Sequence, residues 1–322
     1  MERSDYIQMK KNINILMGAI LLLLAGCSEF IEPSIENRKI EVLAPANKLE
    51  TNSYQQTFWW NPMADALFYR LQVVSPKFDS VSKLVLDTLI TKEKFVYTMD
   101  PGKYEWRVRG ENGSSVSDYT KRSLVIFPSS LTEQSVQLTV PSSGLYFSKP
   151  EIRYEWLKLF GATVYRLQVD NNNFLDEKNM TLNITTSNLG FLQTLSQEGT
   201  YQFRVRAENA TENSKWSTVR TFSYDATGPE KVSLSSPINK QLVSRPVRLV
   251  WNRMADAERY EVSVYKSDEQ TPYSKSYPQI VTSTEHVFDA GEIGETIAWR
   301  VRAFDKAGNA GAYSEIRTFT IQ

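Results

Sequence analysis

The sequence predicts an all-β chain of three tandem β-sandwiches that follow a secretory leader. Two observations predict the sandwiches: a unit that occurs three times, and strict alternation of apolar and polar residues within its matched segments. Such alternation is the period of a strand with one buried face. A third observation, a basic and then apolar stretch at the start of the chain, predicts the leader.

The leader contains a predicted acylation site. Basic residues precede an apolar run over residues 13–24, which is too short to cross a hydrocarbon core that needs about 20 residues. A basic start, a short apolar run and small residues before a cleavage point are typical of a secretory signal. The run ends in Leu24-Ala25-Gly26-Cys27, which resembles the lipobox of bacterial lipoproteins. That resemblance implies a signal peptide over residues 1–26 and lipidation of Cys27, so that a membrane is one partner.

The residues after Cys27 predict the membrane that is used. Ser28 is not the Asp that holds lipoproteins of this kind in the inner membrane, so the resemblance implies the outer membrane. Glu29 and Glu32 resemble the acidic tract that some Gram-negative lineages use for export, which favours the cell surface over the periplasmic face. We expect residues 27–40 to form the acylated Cys and a tether.

Aromatic residues mark the repeated unit. Trp60, Trp156 and Trp251 are spaced 96 and 95 residues apart. Nine residues after each Trp comes a Tyr, 46 to 48 residues after it comes a second aromatic, and a Pro precedes it by 14 or 15 residues. These matched positions are Tyr69, Tyr165 and Tyr260; Trp106, Phe203 and Trp299; and Pro45, Pro141 and Pro237. Offsets held this closely indicate one duplicated fold unit.

The second aromatic lies in a longer motif that reads Tyr104-x-Trp106-x-Val108-x-Gly110-x-Asn112 in copy one. Copy two repeats it from Tyr201 to Asn209, and copy three begins it with Ile297. The motif resembles the sixth strand of the fibronectin type III domain. The resemblance implies immunoglobulin-like sandwiches over residues 41–127, 135–224 and 230–322. Ile297 cannot make the hydrogen bond of a tyrosine corner, so copy three should lack one.

Composition and charge exclude several classes of protein. Lys and Arg number 37, as do Asp and Glu, and a neutral chain lacks the basic excess that grips nucleic acid. A single Cys excludes a disulfide framework and a Cys-based zinc cage. The single His286 disfavours His-dependent catalysis, and we expect it to be an ordinary surface or edge side chain. We therefore predict no catalytic residue, no metal site and no cofactor.

One oxygen-rich segment is a candidate calcium site. Asp170-Asn171-Asn172-Asn173, with Asp176, offers oxygen ligands, but Phe174 breaks the alternate-ligand spacing. Phe78 and Phe174 each follow the Tyr of their repeat by nine residues. This repetition favours a packing role for the Phe beyond a turn.

Trp59 is an aromatic residue that the core of the repeat does not require. By alternation Phe58 and Trp60 point inward and Trp59 points outward, where the other copies have Glu155 and Val250. An exposed indole can stack on a sugar ring or on the apolar surface of a partner. The alternative is that a neighbouring module or the tether covers it.

The second candidate binding feature is a basic stripe. Outward positions on the third and sixth strands, which are neighbours in this fold, carry Arg and Gln in copies one and two. They are Arg70, Gln72, Arg107 and Arg109 in copy one, and Arg166, Gln168, Arg204 and Arg206 in copy two. Such a stripe suits planar anions such as uronate or sulfate groups. The alternative is a solvated face whose arginines pair with nearby Glu, as Glu261 of copy three could pair with Arg300 or Arg302.

These features together predict a non-catalytic, lipid-anchored cell-envelope protein for binding or adhesion, with a glycan or a protein as ligand. The resemblance to lipoproteins of similar build implies a role beside glycan uptake. The first alternative is a purely structural spacer or scaffold subunit. The second is a polysaccharide-acting enzyme, because the mature chain keeps 35 acidic residues that could supply a carboxylate pair.

Overall fold

The computed structural model describes residues 32–322, and the predicted signal peptide and Cys27 lie outside the described residues. The prediction of an all-β fold with three tandem sandwiches is confirmed: each repeat forms a three-stranded sheet and a five-stranded sheet. Within the described part of the chain, the helical structure is one 3-10 turn, Leu131–Glu133.

The first repeat contains eight strands. They are β1 Val42–Ala44, β2 Leu49–Thr51, β3 Gln55–Trp60, β4 Phe68–Lys77, β5 Ser80–Ile90, β6 Lys94–Thr98, β7 Gly102–Glu111 and β8 Thr120–Ile126. One sheet has the order β1-β3-β6 and the other the order β2-β8-β7-β4-β5. The strands that the sequence analysis counts as third and sixth are β4 and β7. They are neighbours in the five-stranded sheet, as predicted.

The second and third repeats have the same layout. The second contains β9 Leu138–Val140, β10 Leu145–Phe147, β11 Glu151–Trp156, β12 Val164–Asp170, β13 Leu182–Thr186, β14 Gly190–Thr194, β15 Gly199–Glu208 and β16 Arg220–Tyr224. The third contains β17 Leu234–Ser236, β18 Gln241–Val243, β19 Val247–Trp251, β20 Arg259–Tyr265, β21 Gln279–Val281, β22 Glu285–Phe288, β23 Thr296–Phe304 and β24 Arg317–Ile321. Their sheets are β14-β11-β9 with β10-β16-β15-β12-β13, and β17-β19-β22 with β18-β24-β23-β20-β21.

The described chain divides into two compact units. The first consists of residues 32–51, 57–96 and 102–126. The second consists of residues 52–56, 97–101 and 127–322, and so contains the second and third repeats entire.

The repeated aromatics fill the three cores, because the inner faces of the two sheets bury the largest side chains. Trp60, Trp156 and Trp251 are all buried. Each indole lies against the Tyr nine residues later, with ring centroids between 5.4 and 5.8 Å apart. The hydroxyl of each Tyr accepts a hydrogen bond from a loop backbone N–H six residues upstream, at 2.9 to 3.0 Å. One side chain thus packs the core and also fixes the preceding loop.

The tyrosine corner differs between repeats as the sequence predicts. In the second repeat the Tyr201 hydroxyl donates a hydrogen bond to the Gln197 carbonyl at 2.7 Å. In the third repeat the matching side chain, Ile297, is fully buried and takes part in the apolar core. The third sandwich therefore replaces a hydrogen bond with apolar packing.

The described part of the predicted tether packs on the first repeat. Ile35 is fully buried and its backbone N–H donates to the Ser115 hydroxyl at 3.0 Å. Ile40 is also buried, and its carbonyl accepts a hydrogen bond from Thr120 at 2.7 Å. Residues 32–40 thus belong to the first folded unit, and the sequence alone did not indicate this.

Candidate functional site

The predicted Arg and Gln positions lie together on the outer face of the five-stranded sheets. In the first repeat Arg70 is the cross-strand partner of Arg109, and Gln72 that of Arg107. The second repeat repeats the register with Arg166 opposite Arg206 and Gln168 opposite Arg204, and the third has Glu261 opposite Arg302. The sequence thus predicts both the face and the neighbours correctly.

Aromatic rings cover the arginines of β7, β15 and β23 in the three repeats. In the first, the guanidinium carbon of Arg107 lies 4.2 Å from the ring centroid of Phe78 and 4.0 Å from that of Tyr119. Arg109 lies 4.7 Å from the same Tyr119 ring. We call this alternation of rings and guanidinium groups the Arg ladder. It explains the repeated Phe beyond the turn, which packs on an arginine.

The second and third repeats carry the same Arg ladder. Arg204 lies 4.2 Å from the Phe174 ring centroid and 4.3 Å from that of Trp216, and Arg206 lies 4.8 Å from Trp216. In the third repeat, Tyr313 lies 3.8 Å from the guanidinium carbon of Arg300 and 4.6 Å from that of Arg302. The rings stack where each guanidinium plane is least hydrated, which favours a cation–π contact.

Sequence reasoning missed the outer rings of the ladder. Tyr119, Trp216 and Tyr313 follow the second aromatic of their repeats by 13, 13 and 14 residues. A Ser lies one or two residues from each of them, and its hydroxyl accepts a hydrogen bond from a backbone N–H of β7, β15 or β23 at 2.9 to 3.0 Å. The nearly constant spacing and the nearby Ser were the signal that could have revealed them.

Carboxylates hold the ends of the Arg ladder. Glu111 accepts from Arg70 at 2.9 Å and from Arg109 at 2.8 Å. Glu208 accepts from Arg166 at 2.7 Å and from Arg206 at 2.8 Å. Each of these two carboxylates is thus shared by two guanidinium groups.

The third repeat has a modified version of the same arrangement. Glu261 pairs with Arg302 at 2.9 Å and also accepts a hydrogen bond from the Tyr313 hydroxyl. The predicted pairing of Glu261 with an arginine of the neighbouring strand is confirmed. Glu261 on β20 thus places a negative charge beside Arg302. The other repeats have Arg70 and Arg166 at the same position.

The electrostatics of the ladder favour ionised carboxylates. Partial burial alone would raise the pKa of Glu208, but hydrogen bonds and charge from Arg166 and Arg206 outweigh it and lower the pKa. Glu261 follows the same balance, since burial raises its pKa and Arg302 and Tyr313 lower it further. The pKa of Arg70 is raised, first by its hydrogen bond to Glu111.

The side chains of the predicted anion stripe already have partners within the protein. Gln168 is buried, and its side-chain oxygen accepts from Arg204 at 2.8 Å. Gln72 accepts from Arg107 at 2.9 Å in the same way. Five of the six arginines of the stripe pair with nearby carboxylates, which is the second of the two interpretations of the stripe. Anion binding at these residues stays a prediction, and an incoming anion would compete with Glu111 or Glu208.

Trp59 lies where alternation places it. Phe58 and Trp60 are fully buried, and 47% of Trp59 is exposed on the outer face of the three-stranded sheet. The register between β1 and β3 shifts between Val42 and Ala44, and the residue at that shift, Leu43, is exposed. We call Leu43 and Trp59 the Trp59 platform. It consists of two exposed apolar side chains on neighbouring strands.

The second repeat has a groove at the position that Trp59 occupies in the first. Its volume is about 700 Å³, and its lining includes Arg153, Glu155 and Leu192. Gly190 lies opposite Glu155 in the sheet, and a Cβ at Gly190 would lie 2.9 Å from the Tyr154 carbonyl oxygen. Backbone therefore forms part of the floor. The sequence does not predict this groove, because alternation shows which face a residue lies on and not where a small residue leaves a depression in that face.

His286 and Asp170 have structural roles. His286 lies on the edge strand β22, is half-buried, and has its Nε2 atom 2.9 Å from the Tyr277 hydroxyl. Burial lowers its pKa. The Asp170 carboxylate accepts the Phe174 backbone N–H at 2.7 Å and so closes the turn that carries this Phe to Arg204.

Within residues 32–322, no group of His, Cys, Asp and Glu side chains could hold a metal ion. In the same part, no helix has the length and apolar character needed to cross a membrane.

Comparisons with known proteins concern the fold alone. No protein-family model matches the chain, and no curated protein matches it. Among solved structures, the FN1-FN3 domains of chicken CNTN1 are 15% identical, with a TM-score of 0.43, over 90% of this chain and 99% of theirs. The fibronectin(III)-like modules of Clostridium thermocellum CbhA are 14% identical, with a TM-score of 0.36, over 58% of this chain and 94% of theirs. The assignment of three sandwiches rests on the sheet topology described above.

Proposed function

We propose that the protein is a non-catalytic, lipid-anchored component of the cell envelope that binds a glycan or a protein through the Trp59 platform. One observation carries the binding proposal: Trp59 is 47% exposed at a position that packs no core. Leaving a large indole in water has no structural benefit, whereas stacking it on a sugar or an apolar surface releases that water. An accessory role in glycan uptake fits such a platform.

Two carboxylates of the Arg ladder support a non-catalytic role. Glycoside hydrolysis requires one carboxyl group with a raised pKa to act as the acid. In the Arg ladder the pKa values of Glu208 and Glu261 are lowered instead, because arginines hold both residues ionised. These carboxylates serve the sheet and are poorly suited to donate a proton.

The proposed anchor is the acylated Cys27 in the outer membrane, with the cell surface favoured over the periplasmic face. Several acyl chains on one residue make membrane attachment stable, since each buried methylene adds about 0.8 kcal/mol. Mass spectrometry of the amino-terminal peptide from the membrane fraction tests acylation, and Cys27→Ala should release the chain from that fraction. Protease treatment of intact cells then separates the two faces, because only a surface-exposed chain is digested.

Ligand binding is tested with the detergent-solubilised full chain on a glycan array and against candidate envelope proteins. We expect binding that Trp59→Ala abolishes and that Glu155→Ala, the matched position of the second repeat, leaves unchanged. Binding that survives Trp59→Ala would place the site elsewhere. Release of sugar from a polysaccharide panel by the wild-type chain would overturn the non-catalytic proposal.

A structural spacer is the second candidate, and the junction of the second and third repeats favours it. The Asn309 side-chain amide donates to the Asp225 carbonyl at 2.7 Å and to the buried Asp305 carboxylate at 2.8 Å. A Cβ at Gly228 would lie 2.6 Å from the Ala310 carbonyl oxygen, and a Cβ at Gly311 would clash with the Pro229 carbonyl. Close backbone packing of this kind fixes one repeat against the next.

Gly311→Ala tests the spacer. We expect faster hydrogen exchange across residues 225–229, because the added Cβ separates the two backbones. Gly308→Ala is a poor control because Gly308 has a φ of +89°, whereas Ala310→Ser alters the same loop without that strain. If Gly311→Ala impairs the function of the protein in cells and Trp59→Ala does not, the spacer role is favoured over ligand binding.

A further inference from the structure

Glu32 contacts a loop of the first sandwich. Its carboxylate accepts the backbone N–H of Gly113, and its carbonyl accepts a hydrogen bond from the Ser114 hydroxyl at 3.0 Å. Both partners lie in the loop between β7 and β8. Glu32 therefore lies at the end of the first sandwich that this loop forms.

Three exposed apolar residues lie at that same end. Leu67, Phe68 and Val116 are 51%, 38% and 41% exposed. All three surround the backbone of Glu111: Leu67 donates its N–H to the Glu111 carbonyl at 3.0 Å, Phe68 is its partner on β4, and Val116 is its bridge partner on the other side. We call Leu67, Phe68 and Val116 the apolar end cluster.

The other repeats are more polar at the matching positions. Thr163, Val164 and Asn213 occupy them in the second repeat, as the same three backbone relationships to Glu208 show. In the third repeat, defined by the same relationships to Phe304, they are Glu258, Arg259 and Ala310. The apolar character is thus specific to the repeat nearest Cys27 and is not required by the fold.

Few residues separate the predicted anchor from this end. Only residues 28–31 lie between Cys27 and Glu32, and five Cα steps span at most about 18 Å. We propose, on the basis of the lipid anchoring proposed above, that the apolar end cluster rests in the interface of the phospholipid bilayer that holds Cys27. The first sandwich then stands on the membrane by direct contact as well as by its acyl chains.

The charges at this end permit the contact. The Asp65 carboxylate pairs with Arg38 at 3.2 Å, and the Glu32 carboxylate is bonded to the Gly113 N–H. Glu36 stays exposed beside them, which favours a zwitterionic surface over an anionic one. Three side chains alone would bind a bilayer weakly, but at most about 18 Å of chain joins the anchor to Glu32 at the same end of the sandwich, and this tethering raises their effective concentration at the membrane.

The test uses the full acylated chain reconstituted into vesicles of phosphatidylcholine and phosphatidylethanolamine. Acylation consumes Cys27, so Leu67→Cys or Val116→Cys introduces one free thiol for a bimane label. Some vesicles contain phosphatidylcholine with a doxyl quencher near the headgroup. Thr163→Cys, at the matched position of the second repeat, is the control, and circular dichroism checks that each variant folds.

We expect loss of bimane fluorescence at positions 67 and 116 in doxyl vesicles, and none at position 163. An acylated chain that floats with the vesicles but keeps its fluorescence at positions 67 and 116 would overturn the membrane contact and leave the anchor intact. Equal quenching at position 163 would also overturn it, because the contact would not be specific to this end. Absence of acylation at Cys27, with no flotation, would overturn the proposed anchor and this inference together.

Discussion

Arg204 stacks on Trp216, with its guanidinium carbon 4.3 Å from the ring centroid. The same indole lies 4.8 Å from Arg206, two residues further along β15. The Trp216 ring thus joins β15 to the segment that precedes β16. The contact gives the Arg-Val-Arg of each repeat a packing role in addition to its charge.

Trp216→Ala should destabilise the second sandwich by about 2 kcal/mol. Two cation–π contacts of about 0.5–1 kcal/mol each would be lost, together with the packing of the ring on the arginine stems. Hydrogen exchange of the native full chain, followed by mass spectrometry on peptides from β12 and β15, resolves this sandwich from the others.

Trp216→Phe is the matched control for this change. It keeps an aromatic face for both arginines, so we expect a smaller loss of protection than with Ala. Equal losses in the two variants would show that apolar packing, and not the cation–π contact, accounts for the effect.

Acid should weaken the second sandwich through Glu208. Its pKa is lower in the folded chain than its ordinary value of 4.5. The unfolded chain therefore binds more protons in this range, and the stabilisation is complete above about pH 4.5 and is lost as pH falls through the folded-state pKa. We expect the protection of β15 to fall as pH drops below about 4.5 toward the lower folded-state pKa of Glu208 in the wild type.

Glu208→Gln removes this titration and should flatten that part of the pH profile while lowering protection at neutral pH. Glu151→Gln, at an exposed position on β11, is the control and should leave the profile unchanged. A wild-type profile that matches that of Glu208→Gln would contradict a role for the carboxylate in acid sensitivity.

Alternation along single strands predicted much of this molecule. It identified the inward Trp and Tyr of each core, the outward Trp59, and the shared face of Arg70 and Arg109, because these depend only on the two-residue period of a strand. It could not show that Tyr119 lies over Arg107, since a ring from an irregular segment covers a strand through tertiary packing. Nor could it show that Ile35 is buried, because a lone apolar residue in a polar segment has no period.

Tyr201→Phe should cost the second sandwich about 1 kcal/mol, the net contribution of one hydrogen bond, because the Gln197 carbonyl loses its donor. The third sandwich has the buried Ile297 at the matching position and so has no corner hydroxyl group there. Hydrogen exchange of the peptides that contain β15 and β23 measures both sandwiches in one sample. The peptide from β23 is therefore an internal control, and a loss of protection in both would indicate a general effect of the substitution.

The single histidine of the chain allows a direct measurement. His286 is half-buried against Tyr277, and burial lowers its pKa below 6.5 in the folded chain. Because protonation is then favoured in the unfolded state, this residue makes the third sandwich less stable as pH falls from about 6.5 toward the folded-state pKa. A nuclear magnetic resonance titration of an untagged chain should show one imidazole with a pKa below 6.5. Tyr277→Ala exposes the ring and should return the pKa toward 6.5, whereas an unchanged value would mean that burial by Tyr277 is not the cause.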